Sequence, residues 1–327
     1  MFGYMYKILT SENPNLFFTK ILLFLGIILA FIIVYKITEP PKLPTEGFTQ
    51  KESYVLKRNN DVYDEFYAEI QEQLYETSIR CQKELVQVLK MTEPTTRHST
   101  FLDIGSGSGY VVDQLRQGGY MAYGLDKSQI MVDHSEKKYP ECEYKCGDAK
   151  DPMTFETGTF THILCTNFTF YEIEDKATFF KNCYFWLKPN GYLVLHLVNR
   201  NKFSIYKPNG KKSVFDMSEH LKRPNIRITQ TTAEFEDYHY TAKLESPQHK
   251  TNTKIHQVVL KEKLVDTETK HVRENEQTLY LDALNAILQM ASQAGFIVKG
   301  KMTMSKILKK GPNADNFQHL YIFERVM

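Results

Sequence analysis

Three carboxylates stand where ligand chemistry is expected. Asp103 precedes alternating glycines in Phe101-Leu-Asp-Ile-Gly-Ser-Gly-Ser-Gly109, with Gly105, Gly107 and Gly109 two apart. Asp126 closes Gly119-Tyr-Met-Ala-Tyr-Gly-Leu-Asp126, and Asp148 lies inside Gly147-Asp-Ala149. Apolar residues before the glycines suit a buried strand, and Tyr110-Val-Val-Asp-Gln-Leu-Arg116 suits a helix after them. Glycine admits φ > 0 and lets a ligand approach the main chain without meeting a Cβ. A helix start offers free N–H groups to polar ligand atoms. A carboxylate at the end of the next strand can accept both hydroxyls of a ribose. The dinucleotide fingerprint G-x-G-x-x-G would need glycine at Tyr110, so a nicotinamide-dependent (NAD(P)) oxidoreductase is the least favoured reading.

The G-x-G-x-G spacing, with Asp103 two residues ahead, resembles motif I of the class I S-adenosylmethionine (AdoMet) methyltransferases. The resemblance covers about residues 60 to 327. It implies that Gly105, Ser106, Gly107 and Gly109 pass the methionine part of AdoMet, with Asp103 facing its ammonium directly or through water. It implies that Asp126, with Lys127 beside it, holds the ribose. Gly147-Asp-Ala149 resembles the adenine turn, where Asp148 takes the exocyclic amine and the Ala149 N–H a ring nitrogen. Cys165, at the end of the fourth strand, joins these cofactor contacts. That end usually faces the transferred methyl, which makes Tyr171 and, on the fifth strand, His196 the catalytic candidates. Asn167, Arg200 and the helix residues Tyr63 and Tyr67 are the substrate candidates. An inward structural His196 and core tyrosines remain open.

The reaction implied is in-line transfer of the AdoMet methyl to an N, O or C nucleophile. The protein's part is then alignment and exclusion of water, and a strong general base is optional. No Asn/Asp-Pro-Pro-Tyr follows the fourth strand, so adenine and glutamine amines lose support. Small-molecule, lipid-like and protein acceptors remain. The other class kept open is a catalytically inactive, membrane-tethered interaction protein of the same fold.

These residues need an α/β frame. Strands are expected at 101–104, 119–126, 143–146, 160–165 and 192–198, the last entered through a Leu187-Lys-Pro-Asn-Gly191 turn. A helix is expected over 176–186 behind an Asp175 N-cap. Tyr63, Phe66, Tyr67, Ile70 and Leu74 recur at helical spacing from about Asn59. The rhythm breaks at about 213–270, read as an antiparallel β insert. A helix over 276–294 ending at Gly295, then strands from Phe296 and Gln318, complete a Rossmann-like seven-stranded methyltransferase sheet with helices on both faces. The domain is set at 59–327.

Composition agrees. The chain has 327 residues, 42% hydrophobic and 24% charged, which suits one large or two small domains. A net charge of +2 gives no case for nucleic acid. Five cysteines do not read as a disulfide framework, and Cys142 and Cys146 lack the partners of a zinc site, so no metal is expected. After a short segment 1–15, residues 16–37 read LFFTKILLFLGIILAFIIVYKI, with no charge between Lys20 and Lys36. That run approaches the roughly 20 apolar residues of a membrane span, and residues 38–58 read as a linker. Lys7 and Lys20 precede the run, whereas Lys36, Lys42, Lys51, Lys57 and Arg58 follow it. The expectation is a single-pass anchor with the catalytic domain on the cytoplasmic side.

Overall fold

The computed structural model describes residues 17–38, 52–75, 77–205, 208, 210, 228–245, 256–308 and 317–326. Two units, Met1–Thr49 and Gln50–Met327, are distinct. In the first, α1 (Phe17–Thr38) is one helix of 22 residues, about 33 Å at 1.5 Å per residue. Phe18, Leu22, Phe24, Leu25, Leu29 and Phe31 on it are exposed. Among the described residues no helix is long and apolar enough to cross a membrane. Residues 1–16 and 39–51, and the side chains of Phe17, Leu23 and 32–38, lie outside the described set. The structure therefore does not establish the span expected over 16–37.

The second unit opens with β1 (Tyr54–Arg58), a 3-10 turn at Asn59–Val62, α2 (Glu65–Tyr75) and α3 (Thr77–Thr92). Crossovers follow: β2 (Thr100–Ile104), α4 (Tyr110–Gln117), β3 (Met121–Asp126), α5 (Gln129–Lys138), β4 (Glu143–Cys146) and β5 (Phe160–Cys165). A single turn α6 (Thr169–Glu172) and α7 (Lys176–Trp186) lead to β6 (Leu187–Val198). Asp175 caps α7 as expected, accepting from Thr178 N. The expected 187–191 turn is instead drawn into β6, with Asn190 at φ 61 and a register shift against β5 between Phe160 and His162.

The remaining elements are β7 (Gln230–Glu234), β8 (Tyr238–Glu245), β9 (His256–Asp266), β10 (Val272–Leu281), α8 (Leu284–Gln293), β11 (Phe296–Thr303), α9 (Met304–Leu308) and β12 (Gln318–Arg325). One sheet has seven strands in the order β11-β12-β6-β5-β2-β3-β4. All its pairs from β6 to β4 are parallel, and β12 runs antiparallel to both β6 and β11. The central β2 is buried at all five positions, the mark of a parallel strand covered on both faces. The order reverses between β2 and β5, and open α/β sheets bind ligands beyond the carboxyl ends of strands at such a switch point.

The second sheet, β1-β10-β9-β8-β7, corrects three expectations. Tyr54–Arg58 is not linker: it pairs in parallel with β10 from Tyr54↔Val272 to Arg58↔Glu276. Residues 276–281 are strand, not helix, and the helix begins at Leu284. The pattern beginning at Asn59 is a 3-10 turn before it is a helix. Within the expected insert, residues 211–227 and 246–255 lie outside the described set.

Candidate active site

The end of β2 places Asp103 and then the glycine loop at the switch point. Gly105, Gly107 and Gly109 have φ of 70, 51 and 80. Gly105 has a further reason to lack a side chain, since a Cβ there would overlap the side chain of Thr169. The Gly105 and Ser106 amides both donate to Leu125 O, at 2.7 and 3.2 Å, fastening the loop to the end of β3. Asp126 fastens it again. Its Oδ2 accepts from Gly107 N and its Oδ1 from Ser128 N, both at 2.9 Å. Burial pushes the Asp126 carboxyl up while these amides pull it down. At the end of β4, Asp148 accepts from Lys150 N at 2.9 Å, with the Lys127 ammonium 3.5 Å from its Oδ2.

Two groups in this loop have unmet polarity. Asp103 is 4% exposed and has no hydrogen-bond donor or cation among the described residues. Burial first, then the charges of Asp126 and Glu84, push its carboxyl up to about 8. Ser106 Oγ is buried without a partner among the described residues. Buried polar groups are normally satisfied, so a ligand that brings a cation and a polar atom fits both. The ammonium and sulfonium of AdoMet supply that charge. Asp126 keeps lone pairs beyond the two amide bonds, enough for a ribose hydroxyl.

Asp103, Gly105, Ser106, Gly107, Asp126 and Asp148 line a single cavity of about 470 Å³, within the usual range for small-molecule sites. Its far side comes from α2, α6 and the second sheet. Tyr63 and Tyr67 meet edge to face, their ring centroids 5.6 Å apart. Tyr63 Oη donates to Glu172 Oε1 at 2.7 Å and accepts from Gln277 Nε2 at 2.7 Å. Tyr75 Oη and Tyr240 Oη both donate to Glu262 Oε1, at 2.5 and 2.6 Å. Asn275 Nδ2 donates to the other oxygen of Glu262 at 3.2 Å. Arg273 grips Asp64 through two donors at 2.8 and 3.0 Å. This polar seam fixes the second sheet against the start of α2, so the aromatic wall is held rigidly.

The cavity gathers Asp103, Gly105, Ser106, Gly107, Asp126, Lys127, Asp148 and Ala149, and with them Tyr63, Tyr67 and Asn167. Five expected residues are not in its lining. Gly109 instead is the left-handed cap before α4. Cys165 is fully buried in β5. Arg200 sits in a 3-10 turn beyond β6. Tyr171 is fully buried, its hydroxyl accepting from Val198 N at 2.7 Å, which ties α6 to the end of β6. His196 is fully buried between the Asn167 carbonyl (2.6 Å from Nδ1) and the Gln318 amide (3.0 Å from Nε2). Burial and the nearby Arg80 push its imidazole down to about 3, so it stays neutral. The expected catalytic roles of Tyr171 and His196 are thus corrected to fixing the backbone around the site. His162 is a core histidine stacked on Phe101 at 4.4 Å.

Sequence reading missed Glu172, Gln277 and Arg80 in the lining. Glu172 stands next to Tyr171, but on a single helical turn neighbouring residues point apart, here one to the core and one to the cavity. Gln277 lay in a stretch read as helix. Arg80, half-buried on α3, pairs with Glu84 at 2.7 Å. Among the described residues no group of three His, Cys, Asp or Glu is placed to hold a metal ion.

Residues 102–195 match the family described as "Methyltransferase domain". The chain is 29% identical over 128 residues to a ubiquinone biosynthesis O-methyltransferase of Coxiella burnetii (strain Dugway 5J108-111), covering 38% of this chain and 54% of that protein. It thus spans about half the length of the curated relatives it matches. Among solved structures, the CcbJ methyltransferase from Streptomyces caelestis superposes with a TM-score of 0.59 at 14% identity, over 82% of this chain and 100% of that one. An S-adenosylmethionine-dependent methyltransferase from Clostridium acetobutylicum gives 0.57 at 14% identity, over 80% and 98%. At such identity the superpositions speak to the fold.

Proposed function

Since residues 102–195 are a class I methyltransferase domain whose cofactor is S-adenosylmethionine, we propose that the protein methylates a hydroxyl of a small, partly apolar molecule while α1 holds it at a membrane. The observation that carries this reading is the continuity of the cavity. Asp103, Asp126, Asp148 and the glycine loop lie on one side, and a tyrosine-walled chamber opens directly from them. AdoMet, when bound, supplies an electrophilic methyl: the acceptor oxygen bonds to that carbon, the carbon–sulfur bond breaks with its electron pair going to sulfur, and the oxygen loses its proton. The chain's own residues bind and orient. Asp103 faces the cationic amino-acid end, Asp126 the ribose and Asp148 the adenine. Tyr63 and Tyr67 cover the chamber and keep water out.

The hydroxyl acceptor is supported by the relative named for O-methylation. The membrane reading is supported by the exposed apolar side chains of α1. The cytoplasmic placement is supported by the basic residues that follow it. The test is calorimetric titration of the full-length protein in detergent with AdoMet and with NADH. Micromolar binding of AdoMet alone is expected. NADH binding, or no binding by folded protein, would refute the assignment. For the anchor, flotation with liposomes should fail once residues 1–50 are removed.

A further inference from the structure

We propose that Glu172 is the catalytic proton acceptor of this site, taking the proton that the acceptor hydroxyl loses as it is methylated. The inference rests on the hydroxyl-acceptor reading above. Three elements converge to make the arrangement. Gln277, on β10, donates to the Tyr63 hydroxyl, which leaves Tyr63 to give its own proton to Glu172 Oε1. Oε1 is thereby occupied and fixed. Oε2 has no hydrogen-bond partner among the described residues, and Glu172 lines the cavity. Its side chain is solvent-accessible and opens into that cavity. One oxygen held and one oxygen available to a bound molecule is the geometry a general base needs.

The electrostatic setting suits the task. The protein packed around the Glu172 carboxyl pushes it up to about 7 although the side chain stays accessible from the cavity, Tyr63's hydrogen bond pulls it down, and the neighbouring charges of Asp126 and Glu262 raise it while Lys127 lowers it. A base matched to neutral pH accepts a proton and can return it to solvent after the product leaves. Asp103 is not a rival. It lies on the cofactor side of the cavity at the end of β2, before the glycine loop.

The test compares Glu172→Gln, which keeps the bond to Tyr63, with the unaltered full-length protein on two probe acceptors. Catechol holds its protons at neutral pH, whereas 4-nitrocatechol ionises there unaided. On catechol the variant should lose about 100-fold in kcat, within the usual range for a general base. On 4-nitrocatechol the loss should be under about 10-fold, and AdoMet affinity should change less than about twofold, because the base is redundant for an ionised acceptor. Tyr63→Phe should give a smaller catechol-selective loss, as expected of a positioning residue. Wild-type kcat in Glu172→Gln on catechol overturns the proposal, as does an equal loss on both probes. Protein that binds AdoMet but methylates neither probe overturns it together with the hydroxyl acceptor. Absence of AdoMet binding would instead strike the methyltransferase reading itself.

Discussion

Asp103→Asn should make the ligand-free protein more stable and the cofactor complex weaker. The Asp103 carboxyl is buried with no partner among the described residues and is raised to about 8 from the 3.8 of an ordinary aspartate. A carboxyl raised in the folded state binds a proton there that the unfolded chain has already released. Stability therefore falls as pH rises between the unfolded and folded values, here from about 4 to about 8. At 1.36 kcal/mol per unit, moving from about pH 5.5 to about pH 8 removes up to about 3 kcal/mol. For a domain of this size that is roughly 6 °C in Tm. Asparagine has nearly the same shape and no charge, so the variant should lose this slope. Scanning calorimetry of both proteins at the two pH values reads the effect directly. The stabilisation by the variant should be larger at pH 8 than at pH 5.5, by up to about 3 kcal/mol. Calorimetric titration should show AdoMet binding weakened about tenfold or more, since the opposing charge to the ligand's cation is gone. Equal Tm differences at both pH values, or a variant less stable at pH 8, would refute the reasoning.

Other perturbations probe the same architecture. Asp126→Ala releases the Gly107 and Ser128 amides as well as the ribose acceptor, so AdoMet affinity should fall beyond about 100-fold by calorimetry, more than one lost hydrogen bond to a charged group. Gly105→Ala forces a side chain into φ 70 against Thr169, at a cost of about 1–3 kcal/mol for strain alone, and should lower both Tm and cofactor affinity. Asp64→Ala leaves the Arg273 guanidinium, 4% exposed, without its carboxylate. The loss should reach about 3–5 kcal/mol in denaturant unfolding, as for other broken buried pairs.

How far the chain could be read in advance follows from where its hydrophobic pattern is simple. The strands ending at Ile104, Asp126 and Cys146 run into turn residues and carry the loop carboxylates at or just beyond their ends. Their positions, and with them Asp103, Asp126 and Asp148, were legible. β10 was not. Its burial alternates with period two, but the inward residues at the start are Arg273, Asn275 and Gln277. Polar side chains there are tolerable only because Asp64, Glu262 and Tyr63 meet them from other elements. Those partners are 209, 13 and 214 residues away in sequence. Residues 276–281 read as the start of the helix that ends at Gly295, and the strand's inner face begins polar. β1 was read as linker for a related reason. Its five residues acquire strand character from pairing with β10, a partner that was itself unseen.

The sequence by itself determined the glycine loop and the carboxylates at the strand ends. Glycines at positive φ, carboxylates at strand ends and a helix start are local requirements, and local requirements leave marks at fixed spacing. The tertiary structure alone decided what lines the other side of the cavity. It turned Tyr171 and His196 inward to hold backbone, and it brought Glu172, Tyr63 and Gln277 from three distant segments to one cavity wall. Which face of a one-turn helix looks into a cleft depends on what packs against its other face, and no spacing rule along the chain records that.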